Sequence, residues 1–406
     1  MNRLAAILFA TIVLAVPSSS IRAQGASEAQ STFIDPSIAA AGMGHAGASV
    51  FWGEFPNGWA NPALLGYHQG VHYAYGRMQL VPELVDDIWF KTHEITIGGG
   101  GLGLYLAGKP IEAIGHLRLD YGVSEGTDAD GNPTGLFESY EQIDQFGFGL
   151  NLIETFATIQ RLSGHDESQL GRHVDLSIGH TWKNVTVDLA PVSVALDGRA
   201  GRGEAPQRDW GALLRVTPID GFPRDGSGVQ DGLSWRLQVA AGFSMRNYAD
   251  NGGSGMFADE GANIQEERLL GGSARVAVRL AGESVGGIWN FVEPILALGL
   301  TVEEANYYQG NAKLDNYDVA RSGQELALLE TLYLRHGYVN DDAGSPPDDT
   351  YGIHDDTYGI GVRLHFKKMI GATYDWADVP QSYPPRNTRQ AVTFFVDPIR
   401  LIHALQ

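Results

Sequence analysis

Strict period-two alternation recurs along this chain, and it limits the possible folds more than any other feature. Between Trp235 and Arg246, the apolar series Trp235, Leu237, Val239, Ala241, Phe243 and Met245 interleaves with Arg236, Gln238, Ala240, Gly242, Ser244 and Arg246. Segments 117–123, 174–179, 273–280 and 358–366 repeat the pattern. Successive side chains of a strand point to opposite faces, so each segment has one apolar and one polar face. Weaker segments fill the intervals at 71–78, 88–97, 102–107, 146–152, 185–192, 210–217, 292–302, 330–339, 370–377 and 390–396. Fifteen segments result, five strong and ten weak, and since boundaries read this way slip by about 2–4 residues, one segment can be a split or false strand.

A soluble sandwich alternates too. Two features favour a membrane barrel. Charged and amide side chains sit in mid-strand on the polar face, namely Arg118, Asp120, Arg236, Gln238, Arg275, Arg279 and Arg363, which suits a wet lumen. Aromatic residues stand at strand ends, as with Tyr121, Trp182, Trp210, Trp235, Phe366 and Trp376, where interfacial girdles lie. The arginines are read as partners of acids such as Asp120 and Asp175 ahead of a ladder for anionic head groups, because packed lumens need their charges paired.

Residues 1–23 read as a secretory signal. Arg3 is the basic start, residues 4–16 form an apolar run too short to span a bilayer, and Ala23 offers a cleavage site. Removing Arg3 and Arg22, with no acid in that stretch, takes the formal charge from −20 to −22, which argues against nucleic acid as a partner. There is no cysteine, so disulfides and thiol nucleophiles are excluded.

Residues 33–66 differ from everything after them. They are rich in Gly and Ala, carry no Lys or Arg, and follow neither a helical nor a strand period. Pro62 forces Asn61 out of the α region just before the β pattern begins. A compact, nearly uncharged stretch in that position reads as a plug held inside the barrel, with an N-terminal arm as the alternative. The run Gly42-Met43-Gly44-His45-Ala46-Gly47, followed by Asn61-Pro62-Ala63, resembles the N-terminal signature of the PorV/PorQ family, within the FadL-like outer-membrane barrels. The resemblance implies a barrel of about fourteen strands whose lumenal hatch is closed by Asn61-Pro62-Ala63. It also implies one of two roles: an accessory or shuttle for protein export of the type IX kind, or a passive channel for hydrophobic small molecules.

Other constellations are weak. Asp128-Ala129-Asp130-Gly131-Asn132 starts like a calcium loop, but Gly131 comes too early and no acid stands at the last ligand position. The pairs Asp341-Asp342, Asp348-Asp349 and Asp355-Asp356 form an acidic loop, a candidate surface for exported partners. Ser177 and His180 tempt as a hydrolytic pair, yet opposite faces of a strand separate them. No catalytic, metal or cofactor site is expected.

Many outer-membrane barrels end on an aromatic residue, whereas this chain runs past Phe394-Phe395-Val396 into Asp397-Pro398 and a tail. Either 389–396 closes the barrel or the tail does. The expected organisation is therefore signal 1–23, hatch 24–66, transmembrane antiparallel β-barrel 67–397 and tail 398–406. The chain is expected to be a monomer in a bacterial outer membrane, touching lipid and either exported proteins or hydrophobic small molecules. A secreted or periplasmic all-β binding protein is the further alternative.

Overall fold

A computed structural model describes residues 29–53, 58–81, 86–108, 116–127, 130–163, 173–189, 202–222, 232–248, 264–281, 294–309, 312–341, 353–366, 369–381, 386–398 and 401–402. The signal-like stretch 1–23, Asp128, Asp342, Asp348 and Asp349 lie outside them.

The strands are β1 (Gly70–Gln79), β2 (Trp89–Gly99), β3 (Leu102–Ala107), β4 (Leu117–Thr127), β5 (Pro133–Asn151), β6 (Val174–Asp188), β7 (Arg202–Asp220) and β8 (Gly232–Tyr248). They continue with β9 (Glu266–Ala281), β10 (Leu296–Gln309), β11 (Ala312–Leu328), β12 (Leu332–Asp341), β13 (Ile353–Phe366), β14 (Ile370–Pro380) and β15 (Arg386–Val396). Every pairing is antiparallel, and β1 pairs with both β2 and β15, so the sheet closes on itself.

Fifteen strands make fourteen staves. Strands β3 and β4 run in the same direction between the same neighbours: Leu106 opposes Ile95 and Arg118 opposes Lys91 on β2. On β5, Ala107 opposes Gln145 and Leu117 opposes Ile143. They are one stave interrupted by residues 108–116. The agreement between fifteen segments and fifteen strands hides two errors. The first half of segment 185–192 is the end of β6, residues 190–192 lie outside the described ones, and β11 has no counterpart in the alternation. Strand β11 puts Ala320, Ser322 and Gln324 on its outer face, with Leu326 and Leu328 only at its end, and Arg321, Gly323 and Glu325 inside, so its middle has no apolar face.

The outer face carries a belt of exposed apolar side chains, including Leu298, Leu300, Ile360, Val362 and Leu364, with Trp182, Trp210, Trp235 and Phe366 among its aromatics. Val276 lies outside and Arg275 inside, as do Val362 and Arg363. A closed antiparallel barrel with a lipid-facing belt is the architecture of a bacterial outer-membrane protein. A soluble binding protein would leave that belt in water, and this sets the secreted alternative aside.

Two placements differ from expectation. Leu117 and Leu119 are buried inside, which turns Arg118 and Asp120 outward. There Arg118 Nε donates to Asp120 at 2.6 Å, and Lys91 reaches Asp120 at 3.2 Å. The cross-strand row Gln390, Arg77, Lys91, Arg118 and Gln142 lies above the apolar belt. At that level the outside is wet, and the inside packs against the N-terminal segment. Alternation says which residues share a face but not which face is inner. For the same reason Tyr121 lines the lumen instead of joining a girdle.

The closing strand is β15, since Val71–Met78 pair with Val396–Arg389. Of the tail, Pro398, Leu401 and Ile402 are described and helical, with the Leu401 N–H donating to the Asp397 carbonyl at 3.0 Å.

Candidate functional site

The lumen holds the described part of residues 29–69. This segment contains the short helix α1 (Ile38–Ala41), whose Ser37 side chain caps the Ala40 N–H at 3.2 Å, and a 3-10 turn over Pro62–Tyr67. An irregular chain in a barrel must satisfy its backbone polar groups from the wall. The wall supplies them. Glu141 accepts from Ser31 N–H at 2.7 Å, Thr357 from Gly44 N–H at 2.8 Å, and Glu303 from Ala48 N–H at 2.7 Å. In the other direction, Thr301, Ser273, Ser177 and Arg246 donate to the carbonyls of Ala46, Ser49, Ala63 and Thr32 at 3.2, 2.7, 2.6 and 3.0 Å. Asn61 accepts from Ala63 N–H at 3.0 Å and donates to the Ala48 carbonyl at 2.7 Å, tying both halves of the segment together.

Contact this close requires wall positions without side chains. Gly98, Gly103, Gly149, Gly179 and Gly211 are successive cross-strand partners on β2, β3, β5, β6 and β7. Residues 61–68 lie directly on them: a Cβ at Gly149 would come within 2.6 Å of Gly66 N, and one at Gly179 would strike Pro62. On the other side of the barrel, Gly242 meets Ala48, Gly299 meets Trp52, Gly323 meets Met43, and Gly337 meets Met43 and Gly44. This glycine band was not anticipated from the sequence. Its signal was present, because most β segments carry a glycine on the polar side of the alternation.

The motif residues occupy defined places. Met43 and Ala46 are buried, and Gly42 packs on the backbone of Gly359. Gly44 has φ of +67°, and a Cβ there would stand 2.5 Å from the Ser322 carbonyl. Gly47 donates to the His45 carbonyl at 3.0 Å, inside the same tight turn. Pro62 begins the 3-10 turn and Ala63 is buried.

Lumenal charges are largely paired. Arg335 bridges Glu325 at 2.8 Å and Asp375 at 2.5 Å, and Lys183 meets Asp209 at 2.7 Å. Arg321 joins Glu303 at 2.8 Å and Glu267 at 3.1 Å. Arg236 holds Asp220 at 2.7 Å and Arg275 reaches Glu330 at 3.5 Å, whereas Asp175 pairs with Arg215 and Asp120 with Arg118 and Lys91, so these two acids are not the partners of the mid-strand arginines Arg236 and Arg275. Arg279 and Arg363 are buried inside, and Gln238 shares their face. Among the acids of the proposed partner loop, Asp341 ends β12 at a lumenal cavity. Asp355 pairs with Arg386 at 2.8 Å, and Asp356 approaches His336 at 3.2 Å. Ser177 faces in and His180 faces out against Trp182 and Trp210, so they do not meet.

Within the hatch-like segment, burial holds the His68 imidazole down to about 3 and pushes the Asp35 carboxyl up. Desolvation disfavours the charged form of each.

Above the segment lies a cavity of about 550 Å³. Phe33, Ile34, Ile88, Leu119, Tyr121, Leu269, Val319, Val339 and Ile353 give it apolar wall, and polar groups make up nearly as much of the lining. Asp35, Arg246, Arg321 and Arg389 supply charge. Arg389 Nε and Nη1 are buried with no hydrogen-bond partner among the described residues. Leu80, Pro380 and Asp341, at the strand ends opposite the chain termini of the barrel, mark its mouth. Tyr121 sits just past the interruption of the third stave.

These features define a class: a transmembrane β-barrel of fourteen staves whose lumen is occupied by its own N-terminal segment. No protein-family description and no curated protein matches the chain. Among solved structures it is similar to the toluene transporter TbuX of Ralstonia pickettii, with 10% identity over 90% of this chain and 98% of that one, at a TM-score of 0.40. It is also similar to a FadL homologue of Pseudomonas aeruginosa (11%, 93% and 100%, 0.35) and to the monoaromatic hydrocarbon channel CymD (12%, 90% and 97%, 0.37). Similarity this remote says nothing of what passes through the barrel.

Proposed function

We propose that this protein is a passive channel that admits hydrophobic small molecules across the outer membrane. The observation that carries the reading is the cavity over the N-terminal segment: its volume suits a small ligand, and Phe33, Ile34, Ile88, Leu119 and Leu269 give it an apolar side next to its charged groups. The buried N–H groups of Arg389 suit a polar or acidic end on an otherwise apolar molecule. Passage past the cavity requires the segment to shift, because residues 61–68 lie on the glycine band beneath it.

Uptake of a labelled hydrophobic solute into cells or vesicles tests this. Leu119→Asp, on the cavity wall, should reduce uptake while the barrel still folds. Unchanged uptake by a folded Leu119→Asp protein overturns the channel.

The export role stands second, supported by the Gly-Met-Gly and Asn-Pro-Ala motifs and by their close fit against the wall. It predicts that deleting residues 342–352 abolishes capture of exported proteins; a channel tolerates that deletion, since loop length changes closure entropy only slowly.

A further inference from the structure

Helix α2 (Leu152–Leu162) leaves the end of β5 with the wrong face outward for a helix in water. Leu152, Phe156 and Ile159 form one stripe, spaced by four and three residues, and all three are exposed, Phe156 and Ile159 at 56% each. Glu154 and Arg161 lie on the far side of the helix from that stripe. A helix that packs on a protein normally buries its apolar stripe.

The orientation is built in. The Asn151 side chain caps the helix at the Glu154 N–H, 3.0 Å away, and the Asn151 N–H donates to the Gly101 carbonyl at 2.7 Å. Thr155 and Thr158 then rest on the β2–β3 turn, where Gly100 and Gly101 have φ of +62° and +88°. A Cβ on Gly101 would stand 2.5 Å from Thr155 Oγ1, and one on Gly100 would stand 3.2 Å from the Thr158 methyl. The helix therefore docks through threonines and the buried Ala157, which leaves its apolar stripe outward.

What covers the stripe follows from its neighbours. Leu102 and Leu176 are exposed on the lipid-facing side of β3 and β6, and Leu150 is the direct cross-strand partner of Leu102 and Ile178. Leu152 follows Leu150 by two residues. The stripe thus extends the belt that lipid already covers, at the end where the chain enters the barrel. We propose that α2 is an interfacial helix that lies in the leaflet at that end, with Leu152, Phe156 and Ile159 among the acyl chains and Arg161 in water. Its length of about 16 Å is enough for three turns to lie along the surface.

The absence of cysteine makes the test direct. Phe156→Cys, Ile159→Cys and Arg161→Cys proteins are each labelled with an environment-sensitive fluorophore. They are then folded into phosphatidylethanolamine–phosphatidylglycerol vesicles at low protein-to-lipid ratio. Probes at 156 and 159 should be quenched by nitroxides on the acyl chains and be about fivefold less accessible to iodide than the probe at 161. Equal iodide access at all three positions overturns the proposal. So does protection at 156 and 159 that vanishes as protein is diluted at fixed lipid, because the stripe would then cover a second copy of the chain.

Discussion

Glu303 Oε2 accepts the backbone N–H of Ala48 at 2.7 Å, 255 residues away along the chain, while Arg321 holds the other oxygen at 2.8 Å. A wall strand and the N-terminal segment thus share one buried carboxylate. Glu303→Leu leaves both the Ala48 N–H and a charged Arg321 without that acceptor, so the seating of the segment should weaken by about 1–3 kcal/mol. Limited proteolysis should cut residues 33–66 in the variant and spare them in the parent, with β-barrel circular dichroism unchanged. Equal protection in both would show that Glu303 does not hold the segment.

Gly44→Val probes the tight turn. The added Cβ meets the Ser322 carbonyl at 2.5 Å and must adopt φ of +67°, which a β-branched residue resists. The expected result is a loosened segment and faster leakage of small solutes through reconstituted vesicles. Unchanged leakage together with unchanged protease protection of residues 33–66 would count against a closed lumen.

Val276 lies on the outer belt and Arg275 on the inner face. Val276→Arg should cost about 2–4 kcal/mol near the midplane, read from urea unfolding in lipid vesicles. A cost near zero would mean that β9 does not face lipid at that residue.

The seating of the segment should also depend on pH. His68 is neutral when seated because burial holds it at about 3, and it regains the ordinary value near 6.5 when released. The released state therefore binds more protons between those limits, and seating weakens as pH falls below about 6.5, by up to about 1.4 kcal/mol per unit. Asp35, raised by burial, has the opposite sign and takes up a proton on seating at the acidic end. His68→Gln should flatten the dependence of protease access on pH between 6.5 and 4. An identical profile in parent and variant would remove His68 from the account.

Repeated alternation was enough to specify β architecture, and with the charged polar face it pointed to a barrel with a wet interior. The Gly- and Ala-rich stretch 33–66 and its Asn61-Pro62 boundary were likewise legible as something separate from the wall. These are local properties: the period of the side chains, the restriction proline places on its predecessor, and the small volume of glycine and alanine act within a few residues. Which face of β4 turns inward is not local. It depends on where the membrane belt ends and on the N-terminal segment packing against Leu117 and Leu119, so Arg118 and Asp120 could be placed only by the closed barrel. Strand β11 was invisible because charged, polar and small residues fill both faces from Ala320 to Glu325, and only pairing with β10 and β12 on either side makes it a strand. The glycine band shows the division most directly. The sequence supplied a glycine in most strands, but only the register, which brings Gly98, Gly103, Gly149, Gly179 and Gly211 side by side, turned separate residues into a surface on which a backbone can lie.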